Sequence, residues 1–130
     1  MRAKRRKIGT ALVLLFPIAV FSCKDQGILY PDFGTLHYRF ITDSLRPVIR
    51  NDTLVALIGY SGCKDNKPLE IQYVILHSGD CAMWLHCPGN YIEPCLAYFT
   101  QWVNLKVPSR VLESPRITLM TPYNGDIDLK

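Results

Sequence analysis

From residue 35 onward no stretch of this chain sustains a helical period of 3.6 residues, and that absence constrains the fold more than any other feature. What recurs instead is short runs that alternate with period two, as half-buried strands do. Leu36-His37-Tyr38-Arg39-Phe40-Ile41 alternates in this way, and Arg46–Asn51 is a shorter candidate that turns at Asn51-Asp52. Thr53–Tyr60 is apolar on both faces, which predicts a central strand. Leu69–Leu76 alternates again, with Leu69, Ile71, Tyr73 and Ile75 pointing inward, and Cys81–Cys87 returns. Leu96–Val107 is the longest run, with Phe99, Val103, Leu105 and Val107 on one parity and Thr100, Trp102, Asn104 and Lys106 on the other. Arg116–Met120 and Asp126–Leu129 complete the set.

Turn chemistry separates these runs: the polar loop Ser61–Pro68, Ser78-Gly79-Asp80, Pro88-Gly89-Asn90 and Pro122-Tyr123-Asn124-Gly125. Asn-Gly between two short alternating runs is a hairpin signal. Short strands with turns at this spacing predict an all-β domain over residues 35–130, a small antiparallel β-sandwich of immunoglobulin-like architecture. An open β-barrel is the alternative. No repeat or low-complexity segment interrupts the domain.

The first 34 residues are of a different kind. Residues 1–10 carry five bases and no acid, and the eleven residues Ala11–Phe21 are almost purely apolar. A bilayer-spanning helix needs roughly 20 such residues, so the run is too short to span. A basic segment, a short apolar segment and the small residue Ser22 before a cut make residues 1–22 a signal peptide. Val20-Phe21-Ser22-Cys23 resembles the lipobox of bacterial lipoproteins, with an aliphatic residue at −3 and a small one before the Cys. The resemblance implies that Cys23 is lipidated and becomes the new N-terminus, and that residues 23–34 form a flexible tether. Membership of that class would place the protein in the bacterial cell envelope, held to the membrane through lipid on Cys23. Lys24 after the Cys is similar to the outer-membrane address of enterobacterial lipoproteins. An ordinary secretory signal with an incidental Cys is the other reading of the same segment.

Removal of residues 1–22 changes the charge argument. The intact chain carries +4, whereas the remaining 108 residues hold ten bases against eleven acids, a net −1. No basic excess remains to favour nucleic acid.

Export would bring the other cysteines, Cys63, Cys81, Cys87 and Cys95, into an oxidising compartment where disulfides are expected. With the strands running up and down, Cys63, Cys87 and Cys95 lie at one end and Cys81 at the other. Cys81 and Cys87 would stand ~20 Å apart along one strand, whereas a disulfide needs Cα atoms within about 7 Å. Cys63–Cys95 is the favoured pair and Cys87–Cys95 the alternative. Ser61-Gly62-Cys63, Met83-Trp84-Leu85-His86 and Cys95-Leu96-Ala97 are similar to the pattern of a group of small envelope lipoproteins. In that pattern the outer cysteines bridge, which implies Cys63–Cys95. Leu96 replaces the Glu of the pattern, and Cys81 and Cys87 are additional.

Three kinds of chemistry could draw on these residues. Zinc could draw on Cys63, His86, Cys87 and Cys95, but no Cys-x₂-Cys spacing is present, and adjacent side chains such as His86 and Cys87 face opposite ways in a strand. His86-Cys87-Pro88-Gly89-Asn90 has Asn90 where the copper loop of cupredoxins has a ligand His, which excludes a blue-copper site. A nucleophilic Cys needs a base beside it, and His77 with Cys81 is the local candidate, across the Ser78-Gly79-Asp80 turn. No nucleophile elbow, phosphate loop or paired carboxylates occur, so no catalytic residue and no cofactor is assigned. Tyr98 and Trp102 share the outward parity of the longest strand, with Trp84 and Tyr91 near the same sheet. Left open they would suit a glycan or a protein partner, whereas burial under the second sheet is the commoner fate of such residues. The functional expectation is therefore non-enzymatic: binding, assembly or structural support in the envelope. A metal-handling or thiol-redox protein, and an inhibitor or accessory subunit of another envelope protein, are the alternatives.

Overall fold

The computed structural model describes residues 30–89 and 94–130. Residues 1–22, Cys23, the tether as far as residue 29 and Tyr91 lie outside the described residues.

Two four-stranded sheets pack face to face as a small β-sandwich. The first contains β1 (Tyr38–Phe40), β2 (Val48–Arg50), β3 (Thr53–Gly62) and β6 (Ala97–Lys106). Its centre is β3, with β1 and β2 sharing one side and β6 filling the other. The second sheet runs β4 (Glu70–Ile75), β5 (Cys81–His86), β7 (Ile117–Leu119) and β8 (Ile127–Asp128). Among the described residues, no strand pairing joins the two sheets into a barrel.

Local chemistry accounts for the hairpins. Asn51 and Asp52 both have positive φ, 47° and 60°, so the Arg50↔Thr53 hairpin closes through two left-handed residues. That backbone matches the natural twist of the strands it joins, and Asn and Asp tolerate it best after Gly. Gly79, at φ 88°, closes the β4–β5 hairpin, with its N–H donating to the Leu76 carbonyl at 2.9 Å. The Asn124-Gly125 signal also marks a real hairpin, β7–β8, but its loop runs from Met120 to Asp126, wider than a two-residue turn.

Alternation decides the core. Tyr38 and Phe40 from β1, Leu54, Ile58 and Tyr60 from β3 and Val103 from β6 point inward. They meet Met83 and Leu85 from β5 and Ile117 and Leu119 from β7. Tyr73 departs from its expectation: it has the inward parity of β4 yet remains 37% exposed. β4 is the outermost strand of its sheet; Ile71 and Ile75 of the same parity pack on the rim of the core, and Tyr73 between them stays exposed.

The sandwich is not antiparallel throughout, because β5 and β7 run parallel. A parallel pair cannot be joined by a tight turn. Here the connection passes through the whole of β6 in the other sheet and then a one-turn helix, α1 (Ser109–Leu112), which drives Val111 into the core. Pro108 ends β6 and opens that helix.

Two features lock the structure, one within the first sheet and one between the layers. The Cys63–Cys95 disulfide forms, at the end of the β3–β6 ladder just beyond the Gly62↔Ala97 pair. Closing a 32-residue separation restricts the unfolded chain by the equivalent of ~3–4 kcal/mol. Across the core, the buried Tyr38 hydroxyl of the first sheet donates to the Leu85 carbonyl of the second at 2.8 Å. That carbonyl lies between the stretch of β5 paired with β7, which ends at Met83↔Leu119, and the Gly34↔Cys87 bridge. Without the hydroxyl it would be a buried acceptor with no strand beside it. Burial holds the Tyr38 phenol far above its ordinary range, partly offset by that same hydrogen bond.

Asp32–Gly34, expected as the end of the tether, is seated on the second sheet. The Phe33 carbonyl accepts from Cys87 N–H at 3.1 Å, and the Phe33 ring packs on the core. Gly34, at φ 76°, lies so close to the Cys87 carbonyl that a Cβ would overlap it.

Tyr38→Phe is expected to keep the fold and to lose ~1–3 kcal/mol in a denaturant titration, because the Leu85 carbonyl stays buried without its donor.

Candidate functional site

The cysteine and histidine candidates separate in space. Cys63 and Cys95 are joined, which removes them from any ligand set and leaves Cys87 as a buried free thiol rather than the partner of Cys95. His86 is turned to structural use. Its Nδ1–H donates to the Asp32 carbonyl at 2.8 Å, and Trp84 Nε1–H donates to the same oxygen at 3.0 Å. The two side chains clamp the 32–34 segment beside residues 84–87, at the end of β5, and Trp84 is buried there. Among the described residues, no group of three or more His, Cys, Asp or Glu side chains is placed to hold a metal ion.

The Cys81–His77 pair does not form an activated thiol. Cys81 is buried and free, whereas His77 is exposed beyond the strand end. Burial pushes the Cys81 thiol up to about 11, opposite to the shift a nucleophile needs. Burial also raises the Cys87 thiol, with Lys67 partly offsetting it. Two thiols are therefore expected to resist an aromatic disulfide reagent at pH 8 in the native protein and to react at once in denaturant. The folded state holds the Cys81 proton more tightly than the unfolded chain does, so stability should fall as pH rises from about 9 to about 11. A pH series of thermal melts measures it.

The outer face of the first sheet presents a different picture. Tyr98 and Trp102 are 65% and 58% exposed, uncovered by any described residue, so the second sheet does not bury them. The reason is topological: β6 belongs to the same sheet as β3, and the second sheet packs on the opposite face. Trp102 stands opposite Leu57 of β3. Tyr98 leans across its neighbouring strand, and a Cβ at Gly59 would overlap its phenol oxygen. Gly59 thus acts as the seat of an aromatic ring on a solvent-facing sheet, where a side chain would lift the ring away.

A groove of about 360 Å³ opens beside that ring, lined by His37, Arg39, Gly59, Ser61, Tyr98 and Tyr123 among others. Tyr123, 56% exposed, is held by its hydroxyl against His37 Nδ1 at 2.8 Å. The loop that carries it is docked on β1: the Asn124 side-chain oxygen accepts from Phe40 N–H at 2.9 Å. The four strands of this sheet contain Arg39, Arg50 and Lys106, all exposed, and no Asp or Glu. The face therefore combines aromatic rings with positive charge and a shallow polar groove.

The outward parity of Tyr98 and Trp102 was readable from the sequence; the groove was not. His37 and Arg39 alternate outward on their short strand, and Gly59 interrupts an apolar strand, which signals a close approach. Nothing local reveals that Tyr123, over eighty residues along the chain, lies beside His37.

No family model, curated protein or solved structure matches this chain. Among the described residues, no helix is long and apolar enough to cross a membrane.

Proposed function

We propose that this chain is a lipid-anchored protein of the bacterial cell envelope, held through Cys23, whose role is non-enzymatic binding of an anionic glycan. The anchor reading rests on the basic and apolar leader and on Val20-Phe21-Ser22-Cys23. Two or more acyl chains would hold the domain firmly without any spanning helix. Lys24 favours the outer membrane.

The observation that carries the binding reading is the exposed face of the first sheet: Tyr98, Trp102 and Tyr123 beside the groove, with Arg39 in its wall. Solvent-facing rings of this size are costly to leave bare unless something covers them. The flat faces of pyranose rings stack on aromatic side chains, and their hydroxyls match groups such as those of Ser61, His37 and Tyr123. Arg39, Arg50 and Lys106, with no acid on the same four strands, favour a carboxylated or phosphorylated sugar over a neutral one.

Titration of the full chain in detergent with oligogalacturonate, against a neutral malto-oligosaccharide of equal length, tests the partner. Binding should favour the acidic chain and weaken with salt. Trp102→Ala and Tyr98→Ala should each lose affinity by ~10-fold, the usual weight of a central aromatic contact. Arg39→Gln should narrow the gap between acidic and neutral ligands. Equal affinities in all variants, or no binding of either oligosaccharide, overturns the glycan reading. Mass spectrometry of the protein from producing cells tests the anchor: an unmodified residue 23, or residues 1–22 still attached, overturns it.

A further inference from the structure

We propose that two copies of this chain join edge to edge through β6, as an isologous antiparallel dimer centred on Trp102. The proposal does not depend on the glycan reading; it follows from where the backbone groups of β6 point.

β6 is hydrogen-bonded to β3 on one side, and among the described residues no strand lies on the other. Val107 N–H donates to the Asp52 carbonyl at 2.8 Å, a pair that continues the Thr53↔Lys106 register by one position. In an antiparallel ladder the hydrogen-bonded residues alternate. Leu105, Val103, Gln101, Phe99 and Ala97 therefore turn their N–H and C=O groups toward β3. Tyr98, Thr100, Trp102, Asn104 and Lys106 turn both groups outward, to the open edge. All five side chains are exposed as well.

Natural sheets guard such an edge by keeping it short, by kinking it with a bulge, or by placing proline or inward charge on it. Of the other edges, β4 is six residues long and carries the acid Glu70, and the remaining three are shorter or occupied. β8 has two residues and β2 three, and β1 has its Phe40 N–H occupied by Asn124. β6 has none of these three devices, and of the charged side chains that also guard an edge it carries only Lys106, at its last position. It is ten residues long, its ten pairs with β3 run without a bulge, and it contains no Pro and no acid.

The occupant is argued from self-complementarity. A second β6 laid antiparallel about Trp102 matches all five outward residues with one another. Tyr98 meets Lys106 of the second copy, Thr100 meets Asn104, and Trp102 meets Trp102, each pair exchanging two backbone hydrogen bonds. Lys106 is the sole charge on the strand, and this register sets it against an aromatic ring rather than against itself. On the inner side Phe99 falls opposite Leu105 of the second copy, and both are only partly buried at the rim of the core in one copy. One patch meeting itself about a two-fold axis closes the assembly at two. The two sheets would become one of eight strands, with both Trp102 rings on the same outer face.

Disulfide trapping in membranes of cells producing the full chain tests this. Trp102→Cys, treated with a mild copper oxidant, should give a non-reducing band of twice the chain mass. The unsubstituted chain and Ser61→Cys, on the outer face of the central strand, should give none. Thr100→Cys mixed with Asn104→Cys should cross-link, whereas either alone should not. Asn104→Pro deletes an edge N–H that β3 does not use, and a strand edge tolerates it. It should abolish the Trp102→Cys band and leave the β circular dichroism and the Cys63–Cys95 bridge unchanged. Sedimentation of the unsubstituted chain in detergent should likewise give two chains per particle, falling to one for Asn104→Pro. A single chain per particle without substitution, absence of the Trp102→Cys band, equal trapping of Ser61→Cys, or an adduct of any other mass overturns the proposal.

Discussion

The rest of the structure depends on the register between β3 and β6. Ten consecutive pairs align the two longest strands, and a disulfide just past the last pair prevents that end from opening. Because side chains alternate, this single register sends Leu54, Ile58, Tyr60 and Val103 to the core and Gly59, Tyr98 and Trp102 to solvent. A slip of one residue would exchange the two sets. The same register also decides which backbone groups of β6 are spent on β3 and which are left outward.

The second sheet is built against this platform by contacts that reach across layers. Tyr38 satisfies a carbonyl of β5 from the opposite sheet, and Asp32–Gly34 caps the remainder of that strand edge. Trp84 and His86 then hold the incoming chain beside the end of β5. The two sheets consequently have unlike outer faces. One is partly sealed by its own chain, and the other is left with aromatic rings, three basic residues and no acid. The binding role proposed for the second of these faces rests on that asymmetry rather than on a thiol, since among the described residues the free thiols Cys81 and Cys87 are both buried and both shifted away from reactivity.

Much of the fold was legible because the relevant physics is local. Period-two alternation located the strands, apolar character on both sides marked Thr53–Tyr60 as central, and Asn51-Asp52 announced a turn. The reach of extended chain excluded Cys81–Cys87, and of the two pairings left open, Cys63–Cys95 and Cys87–Cys95, the favoured first one forms. What escaped detection depends on distant partners. The inward parity of Tyr73 did not show that its strand would be outermost. The Pro and Gly around residues 31–34 looked like a tether because the surface receiving Phe33 and Gly34 belongs to β5, fifty residues on. His86 looked available for a metal until the Asp32 carbonyl was placed beside it.

The sequence by itself determined the strand set, the turns, the inward and outward parities and the exclusion of a Cys81–Cys87 bridge, since each depends on bond geometry within a few residues or on the reach of extended chain. Only the tertiary structure decided that β7 lies parallel to β5, that the second sheet packs on the face opposite Tyr98 and Trp102, and that Tyr123 closes a groove against His37. Those outcomes hinge on which of two sheet faces is buried and on which strand takes an edge. Residues far apart in the chain settle such choices together, because only the assembled layers leave no buried polar group without a partner.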